Sequence, residues 1–127
     1  MRIALDTNAY VRLIRGDREI VNRVEESEKI FFPFVVLGEL RAGFLGGSRS
    51  SENERSLTRF LTSPRVEMLF ADEQTTHHYA RLNCQLRKQG TPIPTNDLWI
   101  AALVVQHDLT LLASDRHFDH LPQLLRA

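Results

Sequence analysis

The chain has 127 residues, 43% of them hydrophobic and 25% charged, a balance that suits one globular domain over residues 1–127 with a real core and leaves little room for a second. Its 16 basic and 16 acidic residues cancel, which argues against non-specific polyanion binding by bulk charge. No apolar run reaches the roughly 18 residues of a membrane span, and "MRIALDTNAY" starts on a strand-like segment without the layout of a signal peptide. The single cysteine, Cys84, cannot form an internal disulfide. It is expected to be a small buried apolar residue in a protein of the reducing cytoplasm.

"RIAL" (2–5) reads as a short buried strand ending at Asp6-Thr7-Asn8. Asn8 is placed as the N-cap of a helix carrying Tyr10, Val11, Leu13 and Ile14. Gly16 and Asp17 break that helix, and Ile20, Val21 and Val24 mark a second amphipathic segment. "KIFFPF" (29–34) is the next strand, with Pro33 near its end. "VVLGELRAGFLGG" then forms a helix closed by Gly46 and Gly47. Ser51 to Glu54 has the spacing of a capping box, followed by one apolar face of Leu57, Phe60 and Leu61.

"VEMLF" (66–70) is a third strand. The helix after it runs from about Asp72 to Lys88, with Thr75, Tyr79, Leu82 and Leu86 in one stripe. Gly90, Pro92 and Pro94 end it. From Leu98 to Val105 every residue is apolar, so that helix is expected to be buried on most sides. "LTLLA" (109–113) is a fourth strand, Ser114-Asp115 opens a last short helix, and the tail "LPQLLRA" leaves a fifth strand open. Trp99, Phe31, Phe32, Phe34 and Phe70 are assigned to the core. Strands alternating with helices, without repeats or linkers, imply an α/β domain around a parallel sheet.

Ligands of open α/β sheets bind outside the carboxyl ends of the strands, and four acids scattered along the chain could gather at that rim. Asp6 follows the first strand and Asp115 the fourth. Glu39 lies in the first turns of the helix after the second strand, and Asp97 in the first turn of the buried helix. Each has a plain structural alternative. Asp97 near a helix N-terminus is stabilised by the macrodipole, by about 0.3–1 kcal/mol, and Asp6 and Asp115 suit turns and caps.

Glu39 is harder to explain away, because it sits among Val35, Val36, Leu37, Ala42 and Gly43, and an uncompensated buried charge is costly. Gathered together, the four carboxylates would repel one another and raise some of their pKa values. A hard, oxygen-preferring ion, Mg²⁺ or Mn²⁺, would neutralise them. Such an ion leaves room for water and a phosphate oxygen, which points to phosphodiester hydrolysis.

With "IALDTNAYV", "VVLGELRAG", "NDLWIAALV" and "LLASDRHFDHL" in this order, the chain resembles the PIN-domain ribonucleases, in particular the VapC-type toxins of bacterial toxin–antitoxin pairs. The resemblance implies a PIN-like three-layer α/β/α sandwich with a mostly parallel central sheet of four or five strands. It implies catalytic, metal-binding acids at Asp6, Glu39, Asp97 and Asp115, with Thr7, Asn8 and Asn96 in supporting positions. Asp119 competes with Asp115 for the fourth place, and the short "QLLRA" ending departs from the longer final strand of relatives. The expected activity is Mg²⁺- or Mn²⁺-dependent endoribonuclease cleavage of RNA, inhibited by a cognate antitoxin, in a chain that dimerises with itself.

Of the 16 basic residues, all but Lys29 and Lys88 are arginines, 14 in number, and the guanidinium fork suits phosphate. Arg12 and Arg15 are candidates for an RNA path beside Asp6, against the simpler reading of a solvated helix face that also includes Arg18. For His77, His78, His107, His117 and His120, surface or structural roles are preferred to zinc binding, since no cysteine or third clustered ligand joins His117 and His120. Two rivals lack their own signatures. A receiver-like signalling domain wants a lysine after a late strand, and a haloacid-dehalogenase-like phosphatase wants an aspartate where Asn8 stands. A PIN fold without activity, serving only to bind a partner, is the remaining alternative.

Overall fold

The computed structural model describes all 127 residues. Five strands, β1 (Arg2–Leu5), β2 (Lys29–Pro33), β3 (Val66–Leu69), β4 (Thr110–Leu112) and β5 (Leu125–Arg126), form one sheet in the order β3-β2-β1-β4-β5. Every pairing is parallel, with Ala4 opposite both Phe31 and Leu111. The tail therefore supplies a true fifth strand, two residues long, with Leu125 opposite Thr110. From β1 the order runs outward to β2 and β3, then returns to add β4 and β5 on the other side. That reversal opens a crevice between the carboxyl ends of β1 and β4.

Six α-helices connect the strands: α1 (Thr7–Ile14), α2 (Arg18–Glu26), α3 (Phe34–Leu45), α4 (Ser50–Leu61), α5 (Glu73–Gln89) and α6 (Thr95–Gln106). Side chains alternate across the pleat, so β1, β2 and β4 each feed two cores. Ile3, Leu5, Ile30 and Leu112 pack with Ala9 of α1 and Ile20 and Val24 of α2. Ala4, Phe31 and Leu111 belong to the larger core with Leu82 and Leu86 of α5 and the buried run Leu98 and Ile100–Val104 of α6. The result is the expected three-layer α/β/α sandwich. Burial on both faces explains why the strands read as continuous apolar runs.

Local chemistry sets the helix ends. Asp6 is extended (φ −86°, ψ 178°), and its Oδ1 accepts the Ala9 N–H at 2.8 Å. Asp6, not Asn8, is therefore the cap of α1, because the chain turns into the helix directly after Leu5. Asp72 caps α5 through a reciprocal bond pair with Thr75, and Gly90 closes that helix at φ +73°, where a side chain would be strained. The capping box expected at Ser51 does not form. α4 starts two residues earlier, behind Arg49, and Glu54 is instead gripped by Arg41, with Nε and Nη2 at 3.0 and 2.9 Å from its oxygens.

Three core assignments are corrected. Phe34 (36% exposed) and Phe70 (67%) each follow the last residue of a strand, β2 and β3, so they sit at the rim. Cys84 lies on the solvent side of α5, away from the Leu82 and Leu86 stripe. Phe31 and Phe32 are buried as expected, and Tyr10, Phe32 and Phe60 form an aromatic cluster with centroids 5.4–5.9 Å apart. Trp99 is half-buried and stacks on Tyr79 at 4.1 Å.

Candidate active site

Asp6, Glu39, Asp97 and Asp115 line one cleft of about 470 Å³ at the crevice between β1 and β4. Thr7, Asn8 and Asn96 line the same cleft, with Asn8 and Asn96 exposed at its edge. The acids arrive on four different elements: the end of β1, the second turn of α3, the first turn of α6, and the turn after β4. They are 33, 58 and 18 residues apart in sequence, so only the parallel topology brings them together.

Their surroundings differ. Asp6 is the deepest, 4% exposed, and its carboxyl is pushed up from 3.8 to about 6. Loss of water is the main cause; the Ala9 N–H works against it, and the Asp97 and Asp115 charges add to it. Asp97 is also raised, chiefly by burial and further by Asp115 and Glu39, while the hydrogen bond from His117 pulls the other way. Glu39, expected to be the buried and costly charge, is half-buried, and the Thr7 hydroxyl donates to its Oε1 at 2.7 Å. The apolar residues around Glu39 in sequence, Val35, Val36 and Leu40, are buried on other sides of α3. The most desolvated charge is Asp6.

Asp97 does not cap its helix: α6 starts behind Pro94 with no side-chain cap bond. Its Oδ2 lies 2.8 Å from Nδ1 of His117 instead, and the same Nδ1 lies 3.0 Å from Oδ1 of Asp115. Asp115 also caps the 3-10 turn Arg116–His120 by accepting the His117 backbone N–H at 2.9 Å. His117 is thus the site residue that sequence reasoning passed over. Its one local signal is its place two residues after Asp115, where a cap bond fixes its backbone. Its partner Asp97 is 20 residues away and invisible in the spacing.

The competing acid, Asp119, is 64% exposed and pairs with Arg126 at 3.1 Å. Arg126 also donates to the Ala113 carbonyl at 2.6 Å and lies over the Phe118 ring, so it ties the end of β4 to the turn. Arg12 and Arg15 do not line the cleft. Arg12 is held by Asp17 at 2.9 Å, and Arg15 lies beside a groove of α1, α3 and α4 that includes Tyr10, Leu40 and Phe44. His77 and His120 face solvent.

The donor set fits a divalent cation. It offers carboxylate oxygens at a sheet switch point, one of them desolvated to a pKa near 6, and no salt bridge from lysine or arginine reaches Asp6, Glu39, Asp97 or Asp115. Carboxylates gathered in one cleft without a lysine or arginine partner are what a bound cation resolves.

The family model described as PIN domain matches residues 3–124. The chain belongs to the PIN-domain family. Within it, the chain is similar to Ribonuclease VapC1 of Haemophilus influenzae, at 30% identity over 125 residues, covering 94% of this chain and 92% of that one. It is also similar to Ribonuclease VapC4 of Mycobacterium tuberculosis, at 36% identity over 90 residues, 71% of this chain and 69% of the other. Among solved structures, the PIN domain resembles a chain of VapBC2 from Rickettsia felis bound to a DNA fragment from their promoter. The TM-score is 0.88 at 27% identity, covering 100% of this chain and 98% of that one. A chain of VapBC-1 from nontypeable Haemophilus influenzae matches at a TM-score of 0.87 and 28% identity, covering 100% and 97%. No helix of this PIN domain is long and apolar enough to cross a membrane.

Proposed function

We propose that this PIN domain is a divalent-metal-dependent endoribonuclease that hydrolyses RNA phosphodiester bonds as the toxin of a toxin–antitoxin pair. The observation that carries the reading is the convergence of Asp6, Glu39, Asp97 and Asp115 from four elements on one cleft, in a chain 30% and 36% identical to two named ribonucleases. Asp6, Glu39, Asp97 and Asp115 are the residues that would hold Mg²⁺ or Mn²⁺. A bound ion would supply activation of the attacking water and charge stabilisation of the leaving oxygen for an in-line displacement at phosphorus.

The chain's own residues supply placement. Asp6 is locked by the Ala9 N–H, Glu39 is oriented by Thr7, and Asp97 is carried rigidly by the buried α6. Asn8, Thr95 and Asn96 leave the mouth of the cleft exposed to solvent, which suits access by an RNA strand. The solved relatives are VapBC complexes, which supports a cognate antitoxin as this chain's inhibitor and partner. The reading also takes residues 1–127 as one domain that dimerises with itself in the cytoplasm.

The test compares RNA cleavage with Mg²⁺, Mn²⁺ or EDTA for wild type, Asp6→Asn, Asp97→Asn, Asp115→Asn and Asp119→Asn. Cleavage is expected only with metal, and only in wild type and Asp119→Asn. Cleavage that survives in both Asp6→Asn and Asp97→Asn would sink the mechanism. A wild type that cleaves no RNA would favour the fold as a binding module without activity.

A further inference from the structure

His117 is unlike the other histidines because its ring meets two carboxylates of the cleft. One ligand atom each from Asp97, Asp115 and His117 lies within 4.8 Å of the other two. Nδ1 is 2.8 Å from Asp97 Oδ2 and 3.0 Å from Asp115 Oδ1. Around an octahedral dication with bonds of about 2.1 Å, neighbouring ligand atoms are about 3.0 Å apart. The two separations therefore match edges of a coordination polyhedron as well as they match hydrogen bonds.

Packing does not account for the ring's position. Its side chain is 44% exposed, while the adjacent Phe118 is fully buried and anchors the turn. Hydrogen bonding accounts for it only in part, since Nδ1 is hydrogen-bonded to Asp97 alone, while Asp115 Oδ1 stands 3.0 Å from the same nitrogen outside that bond. A dication among the three atoms satisfies both carboxylates and the nitrogen together.

The geometry points to His117 as a nitrogen ligand that, with Asp97 and Asp115, forms a mixed nitrogen–oxygen position preferring transition-metal dications over Mg²⁺. This rests on the reading of the acid cleft as a metal centre and adds its selectivity. Mg²⁺ is bound through oxygen and keeps its waters, whereas imidazole suits the transition series. Mn²⁺ stands at the weak end of that series, which makes it a conservative probe.

Pulsed electron paramagnetic resonance of the Mn²⁺-loaded protein is expected to show coupling to a directly bound nitrogen. Labelling histidine with the heavy nitrogen isotope should shift that coupling, a readout that requires no variant. In His117→Ala and His117→Gln the coupling is lost, and in competition the ratio of Mn²⁺ to Mg²⁺ affinity falls by about 10-fold or more. Circular dichroism checks that the variants fold. If wild type binds Mn²⁺, Asp97→Asn does not, and no bound nitrogen is seen, the role of His117 is overturned while the acid centre stands. Coupling that persists in both His117 variants overturns it equally. Failure of wild type to bind millimolar Mn²⁺ overturns the metal centre and this inference together.

Discussion

Replacing Asp6 by Asn removes a buried charge while keeping an oxygen that can accept the Ala9 N–H, since Asn caps helices as well as Asp. A tenfold change in proton affinity is worth about 1.4 kcal/mol. The rise of the Asp6 carboxyl from 3.8 to about 6 spans rather more than two such steps, or about 3 kcal/mol. The sign follows from linkage. Below pH 3.8 Asp6 is protonated in folded and unfolded chains alike and costs nothing. As the pH rises through about 6 the unfolded chain is already ionised, and the folded chain must ionise at a desolvated position beside Asp97 and Asp115.

Metal-free wild type therefore loses stability over that window, and Asp6→Asn does not. Urea denaturation in EDTA should find the variant more stable by about 1–3 kcal/mol at pH 8, with the gap closing by pH 4. Mn²⁺ should then reverse the order, because saturation at about 1,000 times the dissociation constant stabilises only the protein that binds it, by about 4.1 kcal/mol. A variant less stable than wild type at pH 8 in EDTA would refute the account of Asp6 as a desolvated, uncompensated charge. So would a gain that is the same at pH 4.

Two further substitutions separate site geometry from core stability. Thr7→Val keeps the shape of residue 7 but deletes the 2.7 Å bond to Glu39. Mn²⁺ affinity should fall about 10-fold with little change in melting, and an unchanged affinity would show that Thr7 does not orient Glu39. Phe32→Ala empties the centre of the cluster with Tyr10 and Phe60, where Phe32 is fully buried. It should cost about 3–5 kcal/mol in urea denaturation, and a loss below about 1 kcal/mol would mean that the cluster collapses around the gap.

The sequence by itself determined whatever depends on short-range periodicity and on polar residues at strand ends. The runs "RIAL", "KIFFPF", "VEMLF" and "LTLLA" each contain a strand, because a parallel strand buried on both faces must be apolar throughout. The acids were recognisable because the carboxyl ends of such strands are where open sheets place their ligands, and Asp6, Glu39, Asp97 and Asp115 all stood at those ends or in the helices beginning there. The family motifs added their order along the chain.

Tertiary structure decided what depends on distance between residues far apart in the chain. Nothing local says that Asp6 is the desolvated acid and Glu39 the half-exposed one, since burial depends on which neighbouring layer covers each. Asp115 and Asp119 are separated by the turn itself, whose cap points one into the cleft while Arg126 draws the other out. Phe34, Phe70 and Cys84 look apolar in sequence yet lie just past a strand end or on the outer face of a helix, where no layer reaches them. Asp97 most clearly needed the fold. Its position near a helix start is consistent with a dipole role, and only the approach of His117 and Asp115 from the segment after β4 shows that its carboxylate faces an imidazole and a second carboxylate.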